Sequence, residues 1–314
     1  MGLPVTVYRN TDAGAPVGMP TKPSDWLKIL KACLVDGFGT KASLGWTLDF
    51  GSLAELKMVF RNSVADGGSG GAVQVEAHAG TDAVGQLVRF TPAKQITALD
   101  TYIEKMGYRC FATTSNSAYV TGWTVVGCGR AFYVMQEGVF NTLTTSFYNH
   151  QRRLWIGDLQ STIPNDQHIF TMVSGNGGGS AMTDSTNTTY QQADFCVSAT
   201  TSVVCGVYAS DGSGASATYG DANINIGGTP ISTDIAGINV PILFHPLTVS
   251  LPSTDSVVLP SCKGIVPGLF HSRLSGFYGA STPISFTVDS VNYDVCYGRY
   301  APHIYVQTNG EWYD

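Results

Sequence analysis

"AYVTGWTVVGCGRAFYVMQ", residues 118–136, is the stretch that decides the fold. It is rich in aromatic and β-branched residues, the composition that suits a pleated, buried surface, and reads as β-strand. "RRLWIGDLQ" (152–160) and "YRCFATT" (108–114) on either side read the same way.

Working outward, strands are expected at "LPVTVYR" (3–9), "GWTLDF" (45–50), "LKMVFRN" (56–62), "VQVEAHA" (73–79) and "QLVRFT" (86–91). Downstream, strands are expected within "DFCVSATTSVVCGVYAS" (194–210), "NVPILFHPLTVSL" (239–251), "SVVLP" (256–260), "ISFTVDSVNYDVCYG" (284–298) and "HIYVQT" (303–308). Frequent Gly and Pro punctuate them. The fold class expected is mainly β, an antiparallel sandwich or barrel with one or two short helices.

The clearest helix covers "DWLKILKACLVDG" (25–37), with Ser24 as its cap and Gly37 as its left-handed stop. Trp26, Leu27, Ile29, Leu30, Cys33 and Leu34 recur at helical spacing. A second helix is expected over Ile96–Met106, with Leu99 and Ile103 on one face. "ADGGSGG" (65–71) reads as a hairpin loop. The polar run 174–192 is the best domain boundary, giving residues 1–173 and 190–314 as two β-rich units, the second continuous with the first in the alternative reading.

The 314-residue chain can bury a sizeable core. Charged residues make up 13%, about half the usual share. The surface is therefore built from Thr, Ser, Asn and Gly, as suits a turn-rich β protein or one covered by other subunits. A net charge of -6, with no Lys/Arg cluster, argues against nucleic acid. No apolar run has the length of a membrane helix, and the first residues lack a secretion-signal pattern. Gly2–Thr6 matches the myristoylation pattern only formally, and Pro4 stiffens it. Seven scattered cysteines, an odd number without C-x-x-C, fit a reducing cytosol, and a Cys196–Cys205 disulfide is a minor alternative.

Motifs that carry chemistry fail on context. "GFGTKASLG" (37–45) follows a helix and precedes a strand, the reverse of a phosphate loop. Ser69 sits in G-x-S-x-G, but a strand and not a helix follows it. Asp221, Asn223 and Asn225 begin a calcium-loop spacing, yet Ile226 and Ser232 occupy the positions of the Gly and Glu it needs. The six histidines show no ligand spacing. Asp158 and Asp166 are the one carboxylate pair considered for glycoside hydrolysis. No catalytic, cofactor-binding or metal residue is assigned.

Three blocks carry a resemblance. The first is "VTVYRNTDAGAP" followed by "DWLKILKACLVDGFGTKASLGWTLDF", through Tyr8, Arg9, Thr11, Asp12, Gly14, Ala15, Pro16, Cys33, Leu34, Val35, Asp36, Gly37, Gly39, Lys41, Gly45, Trp46 and Thr47, with Phe60-Arg61 next. The second is "GWTVVGCGRAFYVMQEG", through Trp123, Arg130, Phe132 and Tyr133. The third is "RRLWIGDLQSTIPNDQH", through Gly157, Asp158, Ser161, Pro164 and Asp166. These resemble a family of tailed-bacteriophage virion structural proteins over residues 4–170, departing at Cys128 and His168.

The resemblance implies a non-enzymatic structural role, with copies of itself and other virion proteins as partners, no nucleic acid and no membrane insertion. It also implies a virion location after assembly in the bacterial cytoplasm. Tail tip or baseplate is the first expected position, and capsid decoration or a head–tail collar the second. The alternatives are a receptor module that binds a host-surface glycan through Tyr190, Tyr278 or Trp312, and the Asp158/Asp166 hydrolase.

Overall fold

The computed structural model describes residues 3–113, 115, 120–138, 152–174, 203–208, 221–224, 245–250, 262–272, 284–296 and 303–313. The first half contains β1 (Thr6–Arg9), α1 (Pro23–Lys31), β2 (Thr47–Ser52), β3 (Lys57–Arg61), β4 (Ala72–Ala77), β5 (Leu87–Ala98), β6 (Thr101–Lys105) and β7 (Arg109–Ala112). Then come β8 (Val120–Gly127), β9 (Ala131–Gly138), β10 (Arg152–Asp158), β11 (Gln160–Ser161) and β12 (Phe170–Ser174). The remainder is β13 (Val203–Gly206), β14 (Asp221–Ile224), β15 (His245–Ser250), β16 (Cys262–Ser272), β17 (Ile284–Val288), β18 (Val291–Cys296) and β19 (His303–Gln307).

The fold is mainly β, an antiparallel sandwich with one short helix. The described residues form three sheets. The central one runs β1-β8-β9-β10-β12-β13-β14. The front sheet runs β2-β3-β4-β5-β6, with β7 on the other stretch of β5. The back sheet runs β11-β16-β19-β18-β17, with β15 also on β16.

The middle strands of the central sheet, β8 to β10, are buried on both faces over most of their length. Along β9, Phe132 and Val134 enter the front core, while Ala131, Tyr133 and Met135 enter the back core. In β10, Leu154 and Ile156 point forward and Trp155 points back. The front core is completed by Trp26, Leu27 and Leu30 of α1 and by Met58, Phe60, Val73 and Phe90 of the front sheet. The back core is completed by Leu247, Val266, Leu269, Ile304 and Val306. Because successive strand side chains alternate faces, both sets of positions in strands sandwiched this way are mostly apolar, and their polar members Thr124, Gln136, Arg152 and Arg153 are buried with them.

The second half continues this assembly. β13 and β14 extend the central sheet. The N–H of Leu3 donates to the carbonyl of Tyr313 at 3.3 Å and that of Val5 to Gly310 at 2.9 Å, so the two ends of the described chain lie side by side.

α1 carries its expected apolar face, but Ser24 does not cap it. The helix starts two residues earlier, at Pro23, whose fixed φ and missing N–H suit a first helical position. Carboxylates hold this end: Asp82 accepts from the free Ser24 N–H at 2.8 Å, and Asp25 reaches back to accept from the N–H groups of Lys22 at 3.3 Å and Thr21 at 3.0 Å. A π-helical turn, Ala32–Asp36, follows. Gly37 ends it with φ 77°, but with an extended ψ of 167° in place of a left-handed helical cap.

The second expected helix is absent. Residues 96–106 form the end of β5, a turn at Asp100 (φ 61°) and β6. The Leu99/Ile103 spacing imitates a helix face, yet Ile103 is exposed and the β-branched residues pair across strands. The "SVVLP" strand, the 175–192 run and Cys196 lie outside the described residues. Asp221 to Ile224 is extended strand, not the start of a calcium loop.

Two adjacent residues test the double burial. Ile156→Ala is expected to cost about 2–5 kcal/mol and Trp155→Ala about 3–5 kcal/mol in urea unfolding. In a two-layer sandwich one of these neighbours would face solvent and cost little.

Candidate functional site

The motif residues gather into structural locks. In the first, the turn after β1 is held against the loop after α1. Asp12 accepts from the Arg9 N–H at 2.6 Å and from Lys41 Nζ at 2.5 Å. Lys41 Nζ also donates to the Val7 carbonyl at 2.7 Å, and the Tyr8 hydroxyl donates to the Ala42 carbonyl. The two backbones touch at glycines. A Cβ on Gly39 (φ 59°) would sit 2.3 Å from the Ala13 oxygen, and one on Gly14 (φ 80°) would sit 3.2 Å from the Gly39 nitrogen. Trp46 is in the core, as the sequence suggests. Its Nε1 donates to the Cys128 carbonyl at 3.1 Å and its ring meets Phe132 edge-on at 5.1 Å.

The second lock joins all three layers at Asp158, which is fully buried at the end of β10. Ser69, from the front-sheet loop, donates its N–H to Oδ2 at 2.8 Å and its hydroxyl to Oδ1 at 2.5 Å. Arg130 approaches to 3.6 Å and lies 4.0 Å over the ring of Tyr313, whose hydroxyl donates to the Asp158 carbonyl. Burial raises the Asp158 carboxyl above the usual range, against the opposing pull of Ser69 and Arg130. Ser69, the G-x-S-x-G serine, is thus bonded to a carboxylate on a strand-to-strand loop.

The third lock pairs Asp166 with Lys263 at 2.7 Å, with both side chains buried. Ser161 donates its hydroxyl to Asp166 at 2.8 Å, and the His168 N–H donates at 2.9 Å. His168 Nδ1 lies 2.7 Å from Glu104, which also meets Lys94 at 3.2 Å. Burial pushes the Asp166 carboxyl up, but Lys263, the His168 N–H and Ser161 together bring it below the usual value. Asp158 and Asp166 are therefore enclosed by separate partners and do not face each other across an open cleft.

The cysteines are also interior. Cys33, Cys110 and Cys128 are buried free thiols. Burial raises the Cys33 thiol strongly and pushes Cys110 up to about 12. No group of three or more His, Cys, Asp or Glu side chains is placed to hold a metal among the described residues.

Among the described residues, an open polar cleft of about 400 Å³ lies where β1 and Lys41 meet β17, β18 and Thr308. Arg9 Nη2 donates to Asp294 Oδ2 at 2.6 Å, and the Ser285 hydroxyl donates to Asp294 Oδ1 at 2.6 Å. Arg9 Nη1 donates to Thr124 at 3.1 Å, and Thr124 donates to Glu137. Burial raises the Glu137 carboxyl, with Asp294 adding to the effect and Thr124 and Arg9 opposing it. Asp294 and Lys263 carry no sequence signal, because their partners lie 285 and 97 positions away. Of the aromatic residues proposed for sugar stacking, Trp312 is buried, with Nε1 donating to the Gln307 carbonyl at 3.0 Å. Tyr190 and Tyr278 lie outside the described residues.

No family model matches the sequence, and comparison with curated proteins finds no relative.

Two outcomes are expected. Gly39→Ala should destabilise well beyond the roughly 1–2 kcal/mol of a left-handed alanine. Gly67→Ala (φ 78°, open space) should cost only that amount, and chemical denaturation compares the two. Asp166→Asn should cost about 3–5 kcal/mol by removing the carboxylate that faces buried Lys263. With its folded pKa lowered, Asp166 stabilises the native state above the unfolded carboxylate value of about 3.9 and loses this as pH falls through the folded value. The variant's acid-unfolding curve should be flatter in that window.

Proposed function

We propose that the chain is a non-enzymatic structural component of a tailed-phage virion, present in symmetric copies. Tail tip or baseplate is the position favoured, with capsid decoration or a head–tail collar as the alternative. The observation that carries this reading is the use to which the motif residues are put. Asp12, Gly14, Gly39 and Lys41 fasten two loops backbone to backbone. Arg130 and Asp158 fasten three layers. Residues that resemble a virion family thus serve rigidity, which a load-bearing particle component requires. Its partners on this reading are other copies and other virion proteins.

The carboxylates that a hydrolase would use are committed to buried partners, which favours the structural role over the glycosidase alternative. The low charge of the chain suits surfaces covered by neighbouring subunits.

Mass spectrometry of purified particles, split into capsid and tail fractions, tests this. The chain is expected at fixed stoichiometry in the tail fraction. Recovery with the capsid in many tens of copies would move it to decoration, and absence from both would overturn the reading.

A further inference from the structure

We propose that the cleft between β1 and the β17–β18 hairpin binds a neutral saccharide unit through Arg9, Lys41, Asp294, Asn292 and Thr287. This inference stands on the cleft alone and does not depend on the virion reading.

Charge balance comes first. Arg9 is paired with Asp294 and Lys41 with Asp12, so the two cations of the cleft are each neutralised. A site for a phosphate or carboxylate leaves cationic charge uncompensated, and this one does not. The cations nevertheless keep donors. An ammonium has three N–H groups, and Lys41 spends two on Val7 and Asp12. A guanidinium has five, and Arg9 spends two on Asp294 and Thr124. The Arg9 and Lys41 side chains are 27% and 32% exposed, and both line the cleft.

Acceptors sit beside them. Each Asp294 oxygen receives one hydrogen bond, from Ser285 or Arg9, and has lone-pair capacity left. Thr287 donates to the Asn292 side-chain oxygen at 2.7 Å, which leaves the Asn292 amide hydrogens and the Thr287 oxygen lone pairs. Donors and acceptors interleaved over a few ångströms match vicinal hydroxyls, each of which donates and accepts at once.

The apolar part of the lining is Val7, two residues from Arg9 and on the same face of β1. The Phe286 ring points to the other face of the hairpin, where it meets Tyr293 and Tyr305. Convergent polar groups around a cleft of about 400 Å³ leave room for one or two sugar rings.

The test is saturation-transfer NMR on the full chain with glucose, galactose, mannose and N-acetylglucosamine as probes. It is repeated with Asn292→Ala and Thr287→Ala after circular dichroism shows each variant folded. The expected result is transfer to at least one neutral sugar, weakened about tenfold by Asn292→Ala, the loss of one good hydrogen bond. No transfer from any of the four sugars, or transfer that neither variant alters, would overturn the proposal. Preference for glucuronate or a sulfated sugar over its neutral parent would overturn it too, by showing an anion site.

Discussion

Everything in this fold depends on β8, β9 and β10, the middle strands of the central sheet, which send side chains into a core on each face. Antiparallel sheets usually pack one face and wet the other. Each of these strands is therefore mostly apolar on both faces and needs a partner layer on both sides. The helix and front sheet supply one, and strands from the second half of the chain supply the other. The sheet makes the two halves mutually dependent, since either outer layer removed would bare a row of aromatic and aliphatic side chains.

Polar groups fix how the layers meet. Hydrophobic burial is non-directional and sets no register between sheets. The registration comes from hydrogen-bonded charges at the layer edges: the partly exposed pair Asp12 with Lys41, and the buried carboxylates Asp158 with Ser69 and Arg130 and Asp166 with Lys263. Such pairs add little net stability over apolar packing, but removing one partner is costly. They therefore suit a molecule that must hold one shape. The Arg9–Asp294 pair does the same across the cleft.

Much of this was legible in the sequence. Composition and strand patterning point to the antiparallel β class, the apolar spacing of residues 25–37 to the helix, and Trp46 to the core. The double burial was not legible, because the aromatic and β-branched residues of 118–136 mark strand but show no period that says which faces are covered. Residues 96–106 misled for a related reason: two apolar residues four apart imitate a helix, and the turn at Asp100 is set by strand pairing. Ser24 looked like a cap, whereas Pro23 and two carboxylates do that work. The cleft and the Lys263 lock were illegible, since both join residues far apart in the chain.

Native-state hydrogen exchange on the full chain tests the central claim most directly. Slow amides of β8, β9 and β10 should exchange through the same global opening as those of β3 and β4 in front and of β16 and β19 behind, with equal free energies and equal denaturant dependence. If β16 and β19 exchange through a cheaper opening that leaves β8–β10 protected, the back layer is a separable satellite, and the doubly buried sheet is not what holds the molecule together.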